Sequence, residues 1–146
     1  AVDPVYEDGK ITFEMDRATI IREGTDVALI ACGEMVRRAV DAAKLLEREG
    51  ISAFVLDMYC LKPFDESSVL KAAECVKAVV TVEEHGPYGG LGAMVAQVIS
   101  RNLPKQVWNM SLPDAPVITG TSEEVFDYYG LNADGIAKKA RKLIGM

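Results

Sequence analysis

Three short runs in the chain are apolar at nearly every position rather than at alternate ones: Val27 to Ala31, Ile51 to Met58 and Ala78 to Val82. A strand with one wet face alternates, so continuous runs of this length predict strands buried on both faces, as in a parallel sheet covered by helices above and below. Between them the period changes. Val36, Ala39, Val40, Ala43 and Leu46 fall at helical spacing, Arg37, Arg38, Asp41, Lys44 and Glu47 take the other face, and Gly50 stops the helix. Phe64 before Asp65, with Val69 four residues on, has the form of an N-cap with a hydrophobic staple and opens a helix to about Cys75. Leu91, Met94, Val95, Val98 and Ile99 mark another helix face, closed by Pro104, and Gln106 to Met110 reads as a fourth strand. After a loop with two prolines from Pro113 to Gly120, Thr121-Ser122-Glu123-Glu124 is a capping box for a short helix that ends at Gly130. Ile136, Ala140, Leu143 and Ile144 make a final amphipathic helix.

The first part of the chain is less regular. Residues 1–16 are a lead-in expected to be partly extended with few core contacts of its own, and residues 17–146 form one domain. Lys10 to Glu14 alternates weakly, Ala18 to Arg22 is β-branched, and Gly24-Thr25-Asp26 punctuates before Val27, so this region is expected to be a hairpin feeding the central strand. The fold class is therefore α/β: three layers, with a mostly parallel sheet of about five strands, one of them antiparallel, and helices on both faces. In such sheets the functional loops follow the carboxyl ends of the strands. Here these are Cys32-Gly33-Glu34, Tyr59 to Pro63 and Glu83 to Gly90, which converge on one edge.

Charge narrows the function classes. With 22 acidic against 16 basic side chains and a net charge of −6, the chain lacks the clustered Lys and Arg that a nucleic acid or an anionic membrane surface requires. It carries no long uncharged apolar run for a membrane helix and no charged-then-apolar signal segment, so a cytoplasmic location is the simplest expectation. Cys32, Cys60 and Cys75 show neither CxxC nor paired-ligand spacing and read as reduced core thiols, with no metal site expected. A chain that starts at Ala1 rather than Met hints at a piece of something larger.

Chemistry concentrates in Val82-Glu83-Glu84-His85-Gly86-Pro87-Tyr88-Gly89-Gly90-Leu91-Gly92, which holds the sole histidine. Glu83, Glu84 and His85 invite an acid–base reading, since imidazole titrates near neutrality and a neighbouring carboxylate can orient it. Adjacent strand residues point to opposite faces, so at most one of the two glutamates shares a face with His85, and a role for His85 in a contact between domains or subunits outweighs catalysis by it. Gly89, Gly90 and Gly92 before a helix could cradle a phosphate, but the spacing is not GxGxxG, no P-loop lysine follows, and two glutamates stand just upstream. The stronger reading assigns these glycines to a sharp turn, with positive φ at Gly90, and to close helix-to-sheet packing. Asp57 is a strand-end carboxylate without the glycine fingerprint of a nucleotide site, and Tyr59, Tyr88, Tyr128 and Tyr129 read as half-buried packing. The residues by themselves describe an α/β domain with a polar edge and no complete catalytic set.

The order of these motifs resembles a known family. Gly24-Thr25-Asp26-Val27-Ala28-Leu29-Ile30-Ala31-Cys32-Gly33, then Lys62-Pro63-Phe64-Asp65, then Val80 to His85 with Gly89-Gly90-Leu91-Gly92, and finally Gly120 to Glu124 with Tyr129-Gly130-Leu131, is similar to the C-terminal domain of transketolase-like, thiamine-diphosphate-dependent enzymes. The form of the Glu83–Gly92 stretch is closest to transketolase or the C-terminal section of a split transketolase. The resemblance implies two-carbon ketol transfer between sugar phosphates by a complete enzyme that holds thiamine diphosphate and a divalent metal in other domains. It implies no cofactor bound by this domain alone and no catalysis by the isolated chain. It also implies upstream cofactor-binding domains or a separate N-terminal section as partner, a homodimer, and a contribution of this domain to assembly, with Glu83, Glu84, His85, Gly89, Gly90 and Gly92 at the domain edge. A docking domain of a 2-oxoacid dehydrogenase E1 β-type subunit is the alternative within the same resemblance.

Overall fold

A computed structural model describes residues 3–146; Ala1 and Val2, the first two residues of the expected lead-in, lie outside the described residues. The elements are β1 (Thr19–Arg22), β2 (Val27–Ala31), α1 (Met35–Arg48), β3 (Ala53–Asp57), α2 (Glu66–Glu74), β4 (Ala78–Val82), α3 (Leu91–Asn102), β5 (Val107–Met110), α4 (Ser122–Tyr129) and α5 (Ala133–Leu143). Every residue of β2, β3 and β4 is buried, as continuous apolar runs require. The five strands form one sheet in the order β1-β3-β2-β4-β5, parallel except for the antiparallel pair of β1 with β3.

The pleat sorts each strand into two cores. Val27, Leu29, Ala31, Val55, Val80 and Val82 face α1, α4 and α5, whereas Ala28, Ile30, Phe54, Leu56 and Val79 face α2 and α3. This division follows from handedness. The connection β2–α1–β3 runs one way along the sheet, β3–α2–β4 and β4–α3–β5 run the other way, and right-handed crossovers in opposite directions must place their helices on opposite faces. The chain thus reverses between β2 and β4, and a crevice opens outside the carboxyl ends of those two strands.

Helix ends follow their local signals. Asp65 caps α2 by accepting from Ser68 N, with Phe64 and Val69 in the same apolar cluster. Thr121 and Glu124 form the reciprocal capping box of α4, and Gly130 closes that helix in the left-handed conformation. Asn132 caps α5 through Gly135 N, and the Lys105 ammonium donates to the Ala73 and Val76 carbonyls at the end of α2.

Two expectations for the first part of the chain are corrected. Residues 10–14 form no strand, and β1, although joined to β2 by the short turn at Gly24-Thr25-Asp26, makes no hairpin with it: Thr19 stands opposite Asp57 and Ile20 opposite Leu56. Both sides of β2 are taken by β3 and β4, and β1 pairs instead on the outer flank of β3. The lead-in also reaches further into the domain than its sequence suggests. Val5 packs on the α1-side core, Tyr6 Oη donates to Asp57 Oδ2 at 2.7 Å, and Phe13 stands edge-on between the Tyr6 and Tyr59 rings.

Asp65 ties the two regions together, because its carboxylate also accepts from Ala18 N at 2.9 Å. Burial on its own would raise this carboxyl, but the bonds from Ser68, Ser67 and Ala18 outweigh it and hold Asp65 down to about 2. Asp65→Ala is expected to lower unfolding free energy by about 1–2 kcal/mol at neutral pH. A depressed carboxylate contributes stability above its unfolded value and loses it as pH falls through the folded one, so the gap to wild type should close between about pH 4 and pH 2. Urea titrations across that window check both statements.

Candidate functional site

The loops after β2, β3 and β4 meet where the chain reverses. Cys32, Leu61, Glu83, Glu84, His85, Gly89 and Gly90 line a cleft of about 310 Å³. The topology thus brings together the residues that the sequence placed at three strand ends.

Glu83 decides what this edge can do. It is 2% exposed, and its two carboxylate oxygens accept from Leu91 N at 2.7 Å and Gly92 N at 2.8 Å. These are first-turn N–H groups of α3, which have no partner within the helix and which a bound phosphate would otherwise use. The helix N-terminus is filled by the chain's own anion. This explains a glutamate upstream of a glycine turn: the turn folds the helix start back onto the strand end that carries the carboxylate.

Each glycine in the turn has a separate reason. Gly89 has φ of 76°, whereas Gly90 has φ of −100°, so the positive φ expected at Gly90 belongs to Gly89. Gly90 is required by space. A Cβ there would collide with Glu83 Oε2 and stand 2.6 Å from His85 Cδ2, so Gly90 lies between the carboxylate and the imidazole. Gly92 presses on β5, where a Cβ would strike the Asn109 side chain, itself bonded to the buried Thr81 hydroxyl at 3.0 Å.

Glu83 and His85 therefore approach the same backbone position, while Glu84 is exposed. His85 is exposed too, and among the described residues no hydrogen bond holds its ring; its carbonyl accepts from Leu112 N at 2.9 Å. Cys32 is half-buried at the cleft wall. Burial first, then the negative charges of Glu83 and Asp57, push its thiol up to about 11, which leaves it a poor nucleophile at neutral pH. Among the described residues no three His, Cys, Asp or Glu side chains are grouped so as to hold a metal ion. The cleft lining offers one imidazole, that of His85, and one exposed carboxylate, that of Glu84.

Several single-residue expectations differ from the structure. Cys75 is exposed rather than a core thiol, and Tyr88 and Tyr128 are exposed rather than half-buried, while Tyr59 and Tyr129 are half-buried with bonded hydroxyls. Asp57, read as a plain strand-end carboxylate, is 5% exposed; Tyr6 is its one hydrogen-bond donor among the described residues, and Oδ1 has none. Burial pushes this carboxyl above the usual aspartate range, against the Tyr6 hydrogen bond, which favours the charged form. Periodicity gives no sign of a bond linking residues 6 and 57.

Comparison with known proteins matches residues 16–136 to the family described as transketolase, C-terminal domain. The chain is 42% identical over 144 residues to an apulose-4-phosphate transketolase subunit of Phocaeicola vulgatus, covering 99% of this chain and 46% of that protein. It is 39% identical over 137 residues to a putative transketolase C-terminal section of Methanocaldococcus jannaschii, covering 92% and 42% respectively. A solved split-gene transketolase, described as an inactive beta4 tetramer, superposes with a TM-score of 0.89 at 39% identity over 99% of this chain and 47% of its own. The chain thus spans less than half the length of each of these relatives.

Two substitutions at Glu83 and one at Gly90 test the geometry of the turn. Glu83→Ala leaves two buried N–H groups without a partner and is expected to cost about 2–4 kcal/mol, with Glu83→Gln costing less because its amide oxygen still accepts one bond. Gly90→Ala is expected to cost more than about 1 kcal/mol by displacing the Glu83 carboxylate. Chemical denaturation of the three variants reads out both effects, and a Gly90→Ala chain as stable as wild type would contradict the packing described.

Proposed function

The chain belongs to the transketolase C-terminal domain family, and from that premise we propose that it is the C-terminal section of a transketolase-type enzyme that moves a two-carbon ketol unit between sugar phosphates. The observation that carries this reading is chain-long: the family match over residues 16–136 together with 42% identity, over 99% of the chain, to a protein named as part of a transketolase. One relative is named as a subunit and another as a C-terminal section, which supports a separate section as partner. Thiamine diphosphate and its divalent metal would belong to that other section. The turn before α3 does not fit the diphosphate, because Glu83 already occupies the N–H groups of Leu91 and Gly92.

In this reading the domain contributes a surface rather than a reacting group. His85 and Glu84 stand exposed at the cleft, and Tyr88 is exposed on the same turn, which Glu83, Gly89 and Gly90 fix. A rigid turn presenting an imidazole and an aromatic ring suits contact with the cofactor-bearing section or with a second copy, because little side-chain freedom is lost when such groups are buried. Self-association, as in the beta4 tetramer of the similar split-gene transketolase, is part of the proposal. The 2-oxoacid dehydrogenase alternative would give the same edge a different partner, and the transketolase names of the relatives favour the first reading.

The full gene product, mixed with the cofactor-binding section of the same enzyme, thiamine diphosphate and magnesium, is expected to catalyse ketol transfer from a ketose phosphate to an aldose phosphate, whereas this chain by itself should not. Failure of the mixture, or capture of a dehydrogenase acyltransferase core in its place, would contradict the proposal. His85→Ala and Tyr88→Ala are expected to weaken association of the sections by about tenfold while leaving stability within about 0.5 kcal/mol of wild type. Sedimentation and denaturation measurements separate the two effects.

A further inference from the structure

Residues 3–18 lie across the carboxyl end of β3 as a strap with anchors on both sides of the sheet. On the α1 side, Arg37 donates to the Asp3 carbonyl at 3.0 Å and Val5 packs into the core; on the α2 side, Ala18 N reaches Asp65. Between these ends, Tyr6 Oη bonds Asp57, and the Tyr59 hydroxyl accepts from Glu14 N at 3.0 Å and donates to the Glu14 carbonyl at 2.9 Å. Asp57, Tyr59 and Asp65 all belong to the end of β3 or the loop after it, and that same loop supplies Leu61 to the wall of the cleft. Strap and loop thus form one mechanical unit.

Asp57 is the weak point of this seat. Its side chain is 5% exposed and, among the described residues, receives one hydrogen bond, from Tyr6 of the strap, and leaves Oδ1 buried with no partner. Among the described residues, the titratable groups coupled to it are Tyr6 on the strap, Cys32 at the end of β2 and, through these, Tyr59 and Glu83; none of these is a cation. An ionised carboxylate needs several donors or a counter-charge in a dry site, whereas a neutral acid does not. We propose that the strap is a proton-linked latch, seated while Asp57 is a neutral acid and released when Asp57 ionises, and that its release loosens the β3–α2 loop and the Leu61 wall of the cleft.

The direction is consistent with the balance at Asp57, where burial outweighs the Tyr6 bond and raises the carboxyl. An acid raised in the docked state favours docking below its docked titration point and loses that advantage as pH rises. The device does not depend on which reaction the complete enzyme performs.

Hydrogen–deuterium exchange of residues 3–18, corrected for the intrinsic pH dependence, tests it alongside a carbon-13 titration of the Asp57 carboxyl. Strap protection in the wild type should fall about tenfold per pH unit as pH rises toward the Asp57 midpoint. Asp57→Asn, which still accepts from Tyr6 but cannot ionise, should keep its protection flat. Tyr6→Phe, which removes the one bond to ionised Asp57 and leaves the core untouched, should carry the loss to higher pH. Constant wild-type protection while Asp57 titrates, a parallel loss in Asp57→Asn, or a Tyr6→Phe profile identical to wild type would each overturn the latch.

Discussion

The N-terminus of α3 must begin where water does not reach, and the Glu83 carboxylate makes that possible. Buried helix starts need acceptors for their free N–H groups, and a strand-end glutamate supplies two at 2.7 and 2.8 Å. The rest of the edge follows from this bond. The turn must close tightly enough to return Leu91 to Glu83, which calls for a left-handed residue at Gly89 and for the absence of a side chain at Gly90. With α3 held there, Gly92 can approach Asn109 and lock the helix onto β5. The same bond removes the feature that would make this turn an anion site.

Handedness supplies the second constraint. Because the crossovers reverse direction between β2 and β4, the loops after those strands separate to opposite faces and leave a crevice. In a nucleotide-binding sheet that crevice holds the ligand. Here it holds Glu83 in its wall and exposes His85 and Glu84, with Tyr88 exposed on the same turn.

Much of the fold was legible because it rests on local rules. Val27–Ala31 and Ala78–Val82 are strands with the bounds their composition suggests, and Asp65, Thr121 and Gly130 cap as their neighbours dictate. The misread features depend on distant partners. The partner of β1 is β3, a strand from later in the chain, and nothing near Thr19 encodes that choice. The Tyr6–Asp57 bond joins residues 51 apart in sequence, and the Gly90 requirement comes from a carboxylate seven positions upstream rather than from its own φ. At the cleft, the loops could be assigned to one edge from topology, but which glutamate is buried could not, because alternation fixes sides and leaves open which side is covered.

The most direct measurement is the backbone amide spectrum of Leu91 and Gly92 during addition of inorganic phosphate and then thiamine diphosphate. If Glu83 fills the helix N-terminus, both amide protons resonate far downfield, as charge-assisted donors do, and neither moves as either anion is added. Saturable movement of those two resonances in the wild-type chain would contradict this, by showing that the α3 N-terminus is open to an external anion.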